Sequence, residues 1–182
     1  AWYTSTIGQG PRTFSPWVSK DATSSTLANL MFESLLNTDA YNGDVVPLMA
    51  ESYSISDNKI EYTVKLREGL VWSDGKPITA DDVEFTWNQI VKRGLGNPSI
   101  RDNLLVDGKF PTIQVIDDRT VKFNTFRVFA PFLRQMGGVQ IAPKHILEKI
   151  AKKGDPEFSS FWSANANPKS FVVSGKFTLL NY

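Results

Sequence analysis

The sequence predicts an α+β fold, and three observations carry that expectation. Two stretches, 52–66 and 113–123, read as β-hairpins. Helical stretches with apolar residues at three- and four-residue spacing precede, separate and follow them. Composition is that of a packed globule: 182 residues, 41% hydrophobic and 21% charged, enough chain to bury a sizeable core.

Trp2 to Ile7 has the aromatic and β-branched content of a strand, and Gly8 to Pro16 is a Gly/Pro-punctuated loop. From about Thr23 to Leu36 the residues Leu27, Leu30, Met31 and Leu35 form a stripe at helical spacing, which predicts the first helix and assigns the stripe to the core. Ile60, Tyr62, Val64 and Leu66 alternate with Lys59, Glu61, Thr63 and Lys65, the pattern of a strand with one wet face. Ser52 to Ser56 pairs with it across an Asp57-Asn58 turn.

The most densely specified part of the chain is Leu70 to Trp87. In Ser73-Asp74-Gly75 the carboxylate can bond nearby N–H groups while the glycine takes positive φ, reversing the chain. Pro77 holds the approach extended. Thr79 then sits where an N-cap belongs, Asp82 is three residues on in the acceptor position of a capping box, and Ile78 and Val83 have the spacing of a hydrophobic staple. Asp81, Asp82 and Glu84 add negative charge at the positive end of the dipole. The helix so launched runs from about Ala80 to Lys92, turns Val83, Trp87, Ile90 and Val91 toward the sheets, and ends in Gly94 to Pro98.

In the second hairpin Ile113 and Val115 face Val121 and Phe123 across Asp117-Asp118-Arg119. Beyond it, Phe129 to Met136 and Lys144 to Lys152 are expected as short helices, separated by Gly137-Gly138 and a short strand, Val139 to Ile141. Glu157 to Ser163 reads as a helical turn, and Gly175 to Tyr182, with Phe177 and Leu179 alternating against Lys176 and Thr178, as a last strand.

Trp72 to Val83 closely resembles the W-S-D-G-x-P-[LIV]-T-A-x-D-[FV] hallmark of the family 5 extracellular solute-binding proteins, the peptide-, oligopeptide- and nickel-binding components of bacterial ABC importers. Four further stretches are similar to the family in the same order: Phe14-Ser15-Pro16, Leu30 to Leu36, Pro47 to Tyr53, and Ile141 to His145. Asn167 to Tyr182 resembles the segment that returns toward the ligand cleft, with one departure. Val172-Val173-Ser174-Gly175-Lys176-Phe177 stands where the family usually has V-G-[ST]-G-P-[FY].

The resemblance implies the N-terminal part of a two-lobe, class II periplasmic-binding-protein-like fold with an extra subdomain. Residues 1–37 and 171–182 would belong to the first ligand-binding lobe and 38–170 to the extra α+β subdomain, with the second lobe absent from this chain. It implies binding without catalysis: capture of oligopeptides in an interlobe cleft by hinge closure and delivery to membrane permease subunits. The protein would be a monomer, periplasmic or extracellular, peripheral to the membrane or lipid-anchored at full length, and without a cofactor. A receptor of the same fold for oligosaccharides is the alternative, and a secreted enzyme or carbohydrate-binding module the more distant one.

Site residues follow from the resemblance. Trp17, Lys20, Asp21, Ala22 and Thr23 align with the loop that runs along the ligand, although Asp21 or Thr23 can equally serve as the cap of the first helix. Val173, Ser174 and Gly175 would line the cleft from below, and Asn97 and Ser99 would reach it from the extra subdomain. Of Trp17, Trp72, Trp87 and Trp162, the second and third sit on apolar patterns and read as core, whereas Trp17 in its loop is the candidate for stacking on a ligand.

The remaining chemistry is sparse. Zero cysteines exclude disulfides, thiolate metal sites and thiol nucleophiles, and a single histidine, His145 at a predicted helix start, reads as structural or surface. Asp81 and Asp82 diverge on a helix and are explained by capping, and Ser174-Gly175 lies in no G-x-S-x-G elbow. A net charge of +1 without like-charge blocks gives no argument for nucleic acid or an anionic membrane. No apolar run is long enough to span a bilayer, and the start of the chain does not resemble a signal peptide.

Overall fold

A computed structural model describes residues 9–180. The strand expected over Trp2 to Ile7 lies outside them. Helix α1 (Ala22–Met31) begins at Asp21, whose carboxylate accepts the Ser24 N–H at 2.9 Å. It stops short of the predicted Leu36: Phe32 turns extended after the last helical bond, from its N–H to Ala28 C=O, and the Met31 carbonyl is taken by Gly175 N–H at 2.8 Å. Leu36 instead enters a short antiparallel pair, β1 (Leu36–Thr38) and β2 (Val45–Pro47), which the sequence pattern does not predict.

The two predicted hairpins are present and join. Strands β3 (Ala50–Ile55), β4 (Glu61–Leu66), β5 (Thr112–Asp117) and β6 (Thr120–Asn124) form one antiparallel sheet in the order β3-β4-β6-β5. The first turn closes with Lys59 at φ 57. Tyr62 and Val64 pair with Phe123 and Val121 across β4 and β6, which puts them on one face with Leu66, all buried. The alternation had therefore named the core face correctly. The other face carries the Lys65–Glu51 and Lys122–Glu61 ion pairs.

Helix α2 (Ala80–Phe85) starts as expected, with Thr79 extended at the N-cap and its N–H donating to the Asp82 carboxylate at 3.0 Å. From Thr86 to Val91 the winding loosens to a π-helix, with bonds from Lys92 N–H to Trp87 C=O and Leu95 N–H to Ile90 C=O. The Thr86 hydroxyl accounts for it: it donates to Asp82 C=O at 2.7 Å and accepts the Ala142 N–H at 2.9 Å, so a neighbouring segment inserts at this turn. Val83, Trp87 and Val91 pack on the sheet, while Phe85 and Ile90 face a second apolar cluster.

Around that second cluster pack Phe14, Trp17, Met31 and Phe32 with residues from α5 (Lys144–Lys153) and α6 (Asp155–Phe161) and with Phe171 and Val173. Before those helices come α3 (Ser99–Leu104), which follows Pro98 where only a loop was expected, and α4 (Phe132–Gly137). The strand predicted over Val139 to Ile141 is reduced to one bridge, Ser34 to Gln140. Residues 175–180 form no strand among the described residues; alternation sets which side chains share a face, but a strand also needs a neighbour.

Candidate functional site: two concavities at the ends of the first helix

The turn at Ser73-Asp74-Gly75 is the junction that positions the return segment. Gly75 has φ 85. Ser73 clasps Val173 twice, its N–H donating to Val173 C=O at 2.9 Å and its hydroxyl accepting the Val173 N–H at 3.0 Å. One residue on, the Asp74 carboxylate meets His145 Nε2 at 2.8 Å, so the lone histidine is a structural tie to α5. Burial pushes the Asp74 carboxyl up, but the His145 ring and the Lys76 N–H outweigh it and hold it below the ordinary 3.8.

Asp82 completes this junction. Burial raises its pKa above the ordinary value, against the pull of the N–H groups of Thr79, Lys144 and Trp72. Three donors converge on its two oxygens, from Thr79 at 3.0 Å, Lys144 at 2.9 Å and Trp72 Nε1 at 3.4 Å. Such a carboxylate, with both oxygens engaged, is a scaffold group.

The return segment is then pressed against the end of α1. Ser174 Oγ accepts the Glu33 N–H at 2.9 Å, and Gly175 lies so close to the helix that a Cβ there would stand 2.6 Å from Leu30 O and 2.7 Å from Met31 C. Val173 is buried. All three residues expected to line the cleft thus have their polar groups or their space committed within the fold, and the residues after them, Lys176 and Phe177, are the ones that border a concavity of about 460 Å³. Its other walls come from α1 and the residues after it (Asn29, Glu33), from β1 (Leu36) and from Arg134 on α4.

A second concavity, of about 320 Å³, lies at the other end of α1 and is bordered by Arg12, Lys20, Asp21, Gly96 and Asp155. The expected loop and the Asn97 region do meet here. Asn97 N–H donates to Trp17 C=O at 2.9 Å, and Asn97 Nδ2 donates to Ser19 C=O at 2.9 Å. Lys20, Ala22 and Ser99 are exposed, while Asp21 and Thr23 are half-buried. Asp21 takes the capping role: the Ser24 N–H and hydroxyl hold its carboxyl below 3.8, with a smaller contribution from the charge of Arg12. Ten residues of helix place the two concavities about 15 Å apart.

Trp17 departs from its expectation. It is 1% exposed, donates from Nε1 to Gln140 C=O at 2.9 Å, and packs against Phe32 and Trp162 at centroid distances of 5.3 and 6.4 Å. A loop address says nothing about which way an indole points, and this one points inward. Trp72, Trp87 and Trp162 are equally buried. Among the described residues no three His, Cys, Asp or Glu side chains converge in a way that could hold a metal ion, and no helix is long and apolar enough to cross a membrane.

Comparison with known proteins agrees with this architecture. The family model described as bacterial extracellular solute-binding proteins, family 5 Middle, matches residues 44–182. The dipeptide-binding protein of Escherichia coli is 28% identical over 96% of this chain and 33% of its own length. Among solved structures, the ABC transporter substrate-binding protein CtaP of Listeria monocytogenes is 31% identical, with a TM-score of 0.77 over 97% of this chain and 33% of that one. The periplasmic oligopeptide-binding protein OppAIV of Borrelia burgdorferi is 27% identical, with a TM-score of 0.74 over 94% and 35%. The chain therefore spans about a third of the length of these relatives. With the hallmark turn, the return segment and the sheet all in place, the chain belongs to the family 5 bacterial extracellular solute-binding proteins.

Proposed function

We propose that this chain is part of the extracytoplasmic receptor of an ABC importer that captures peptides, and that it supplies one wall of the ligand cleft. The observation that carries the reading is the convergence of family membership with relatives named for dipeptides and oligopeptides. The opposite wall would come from the part of the protein that corresponds to the remaining two thirds of the relatives. Ligand would be held along the loop 17–23 and by the segment beginning at Lys176, with wet, tolerant contacts giving weak sequence preference. Delivery to permease subunits, a monomeric state, a periplasmic location and the absence of catalysis belong to the same proposal.

The oligosaccharide alternative loses the stacking platform expected of Trp17, because stacking needs an exposed indole face. Native mass spectrometry on the full-length protein tests the choice. A ladder of heterogeneous peptide masses released from the purified protein is the expected result; a discrete hexose series would replace the peptide reading with sugar uptake.

A further inference from the structure

The larger concavity carries a charge pattern that the family assignment does not. Lys176 stands where the family usually has proline, on a segment anchored immediately before it by Ser174 and Gly175. Its backbone is therefore held by the fold while its side chain is exposed. Arg134 on α4 borders the same concavity and gives one guanidinium N–H to Gly43 C=O. Among the described residues neither cation is in an ion pair. Among the described residues that border the cavity there is one carboxylate, Glu33, against the two cations. Leu36, Val45, Leu48 and Phe177 give part of the wall an apolar character, beside the amides and hydroxyls of Asn29, Ser34, Asn37, Thr38 and Gln140.

We propose that Lys176 and Arg134 form a carboxylate subsite in this concavity, selecting peptides that carry a carboxylate. The inference rests on the peptide-receptor reading and adds to it a specificity-determining residue, Lys176. Arg134 keeps free donors in its fork after the bond to Gly43, and Lys176 contributes a mobile point charge, a pairing suited to a carboxylate. That carboxylate is either the C-terminus of the peptide or an Asp or Glu side chain.

The test is calorimetry on the full-length protein with three synthetic peptides: a neutral tetrapeptide with a free C-terminus, its C-terminal amide, and the amide with one internal aspartate. If the C-terminus is the source, the amide binds about fivefold to tenfold more weakly than the free acid; if a side chain is the source, the aspartate restores that factor. Lys176→Gln should cut the preference to about twofold or less, and Lys176→Glu should invert it, both with wild-type melting temperatures. Equal affinity of the wild type for all three peptides, or a preference that survives both variants, overturns the inference while leaving the peptide reading intact. No binding of any of the three overturns the peptide reading and the inference with it.

Discussion

Replacing Gly175 by alanine should destabilise the protein. The added Cβ would stand 2.6 Å from Leu30 O, 2.7 Å from Met31 C and 2.8 Å from Met31 O. All three are backbone atoms at the end of α1, so no side chain can swing aside. Either the return segment retreats, stretching the 2.8 Å bond from Gly175 N–H to Met31 C=O, or the last turn of α1 deforms. Overpacking of this kind costs about 1–3 kcal/mol and a weakened hydrogen bond about 1 more, so the expected loss is about 3 kcal/mol. For a chain of this size that is a fall of about 6–12 °C in melting temperature. Urea unfolding followed by tryptophan fluorescence should show a lower midpoint with an unchanged slope. A Gly175→Ala variant within about 0.5 kcal/mol of the wild type would refute the claim that the return segment is locked against the helix.

Other variants probe the junction and the caps. Asp82→Asn should cost about 1–3 kcal/mol, because the new amide N–H₂ would face one of three donors and leave it unsatisfied; thermal denaturation measures this, and a neutral result would remove the scaffold role. Asp21→Ala removes the cap of α1 and should cost about 1 kcal/mol by the same assay. Trp17→Ala should cost about 3–5 kcal/mol as a core truncation, and the wild-type Trp17 emission should not be quenched on ligand addition. Asp74 has a folded pKa below its ordinary 3.8, so its contribution is fully present above that value and is lost as pH falls through the folded value. Asp74→Asn should therefore flatten the acid limb of the stability curve below the ordinary 3.8, measured by melting temperature against pH, and an unchanged limb would contradict the pairing.

Much of this fold was legible because local rules agreed with one another. The stretch from Trp72 to Val83 had turn, cap, staple and charge all pointing to one structure, and each is found in place or, for the staple, as two buried residues of one cluster. The core face of β4 and β6 followed from period-two alternation. What escaped were features decided at a distance. Helix α1 ends where residue 175 takes its carbonyl, and the π-helical turn exists because Ala142 bonds Thr86. The candidate site was half legible: the loop 17–21 and Asn97 do meet, but Trp17 turns inward. Lys176 and Phe177, which follow the expected Val173 to Gly175, border the larger concavity. The commitment of Ser174 and Gly175 to α1 is a contact between distant segments that no local pattern announces.

The central claim is that this chain supplies one wall of a peptide-binding cleft, and paired calorimetry tests it most directly. A mixture of short peptides is titrated into the full-length protein and, separately, into residues 1–182. The account predicts binding at micromolar or tighter affinity by the full-length protein and no measurable heat from residues 1–182, because half a cleft cannot desolvate its ligand. Micromolar binding by residues 1–182 alone, or none by the full-length protein, would contradict it.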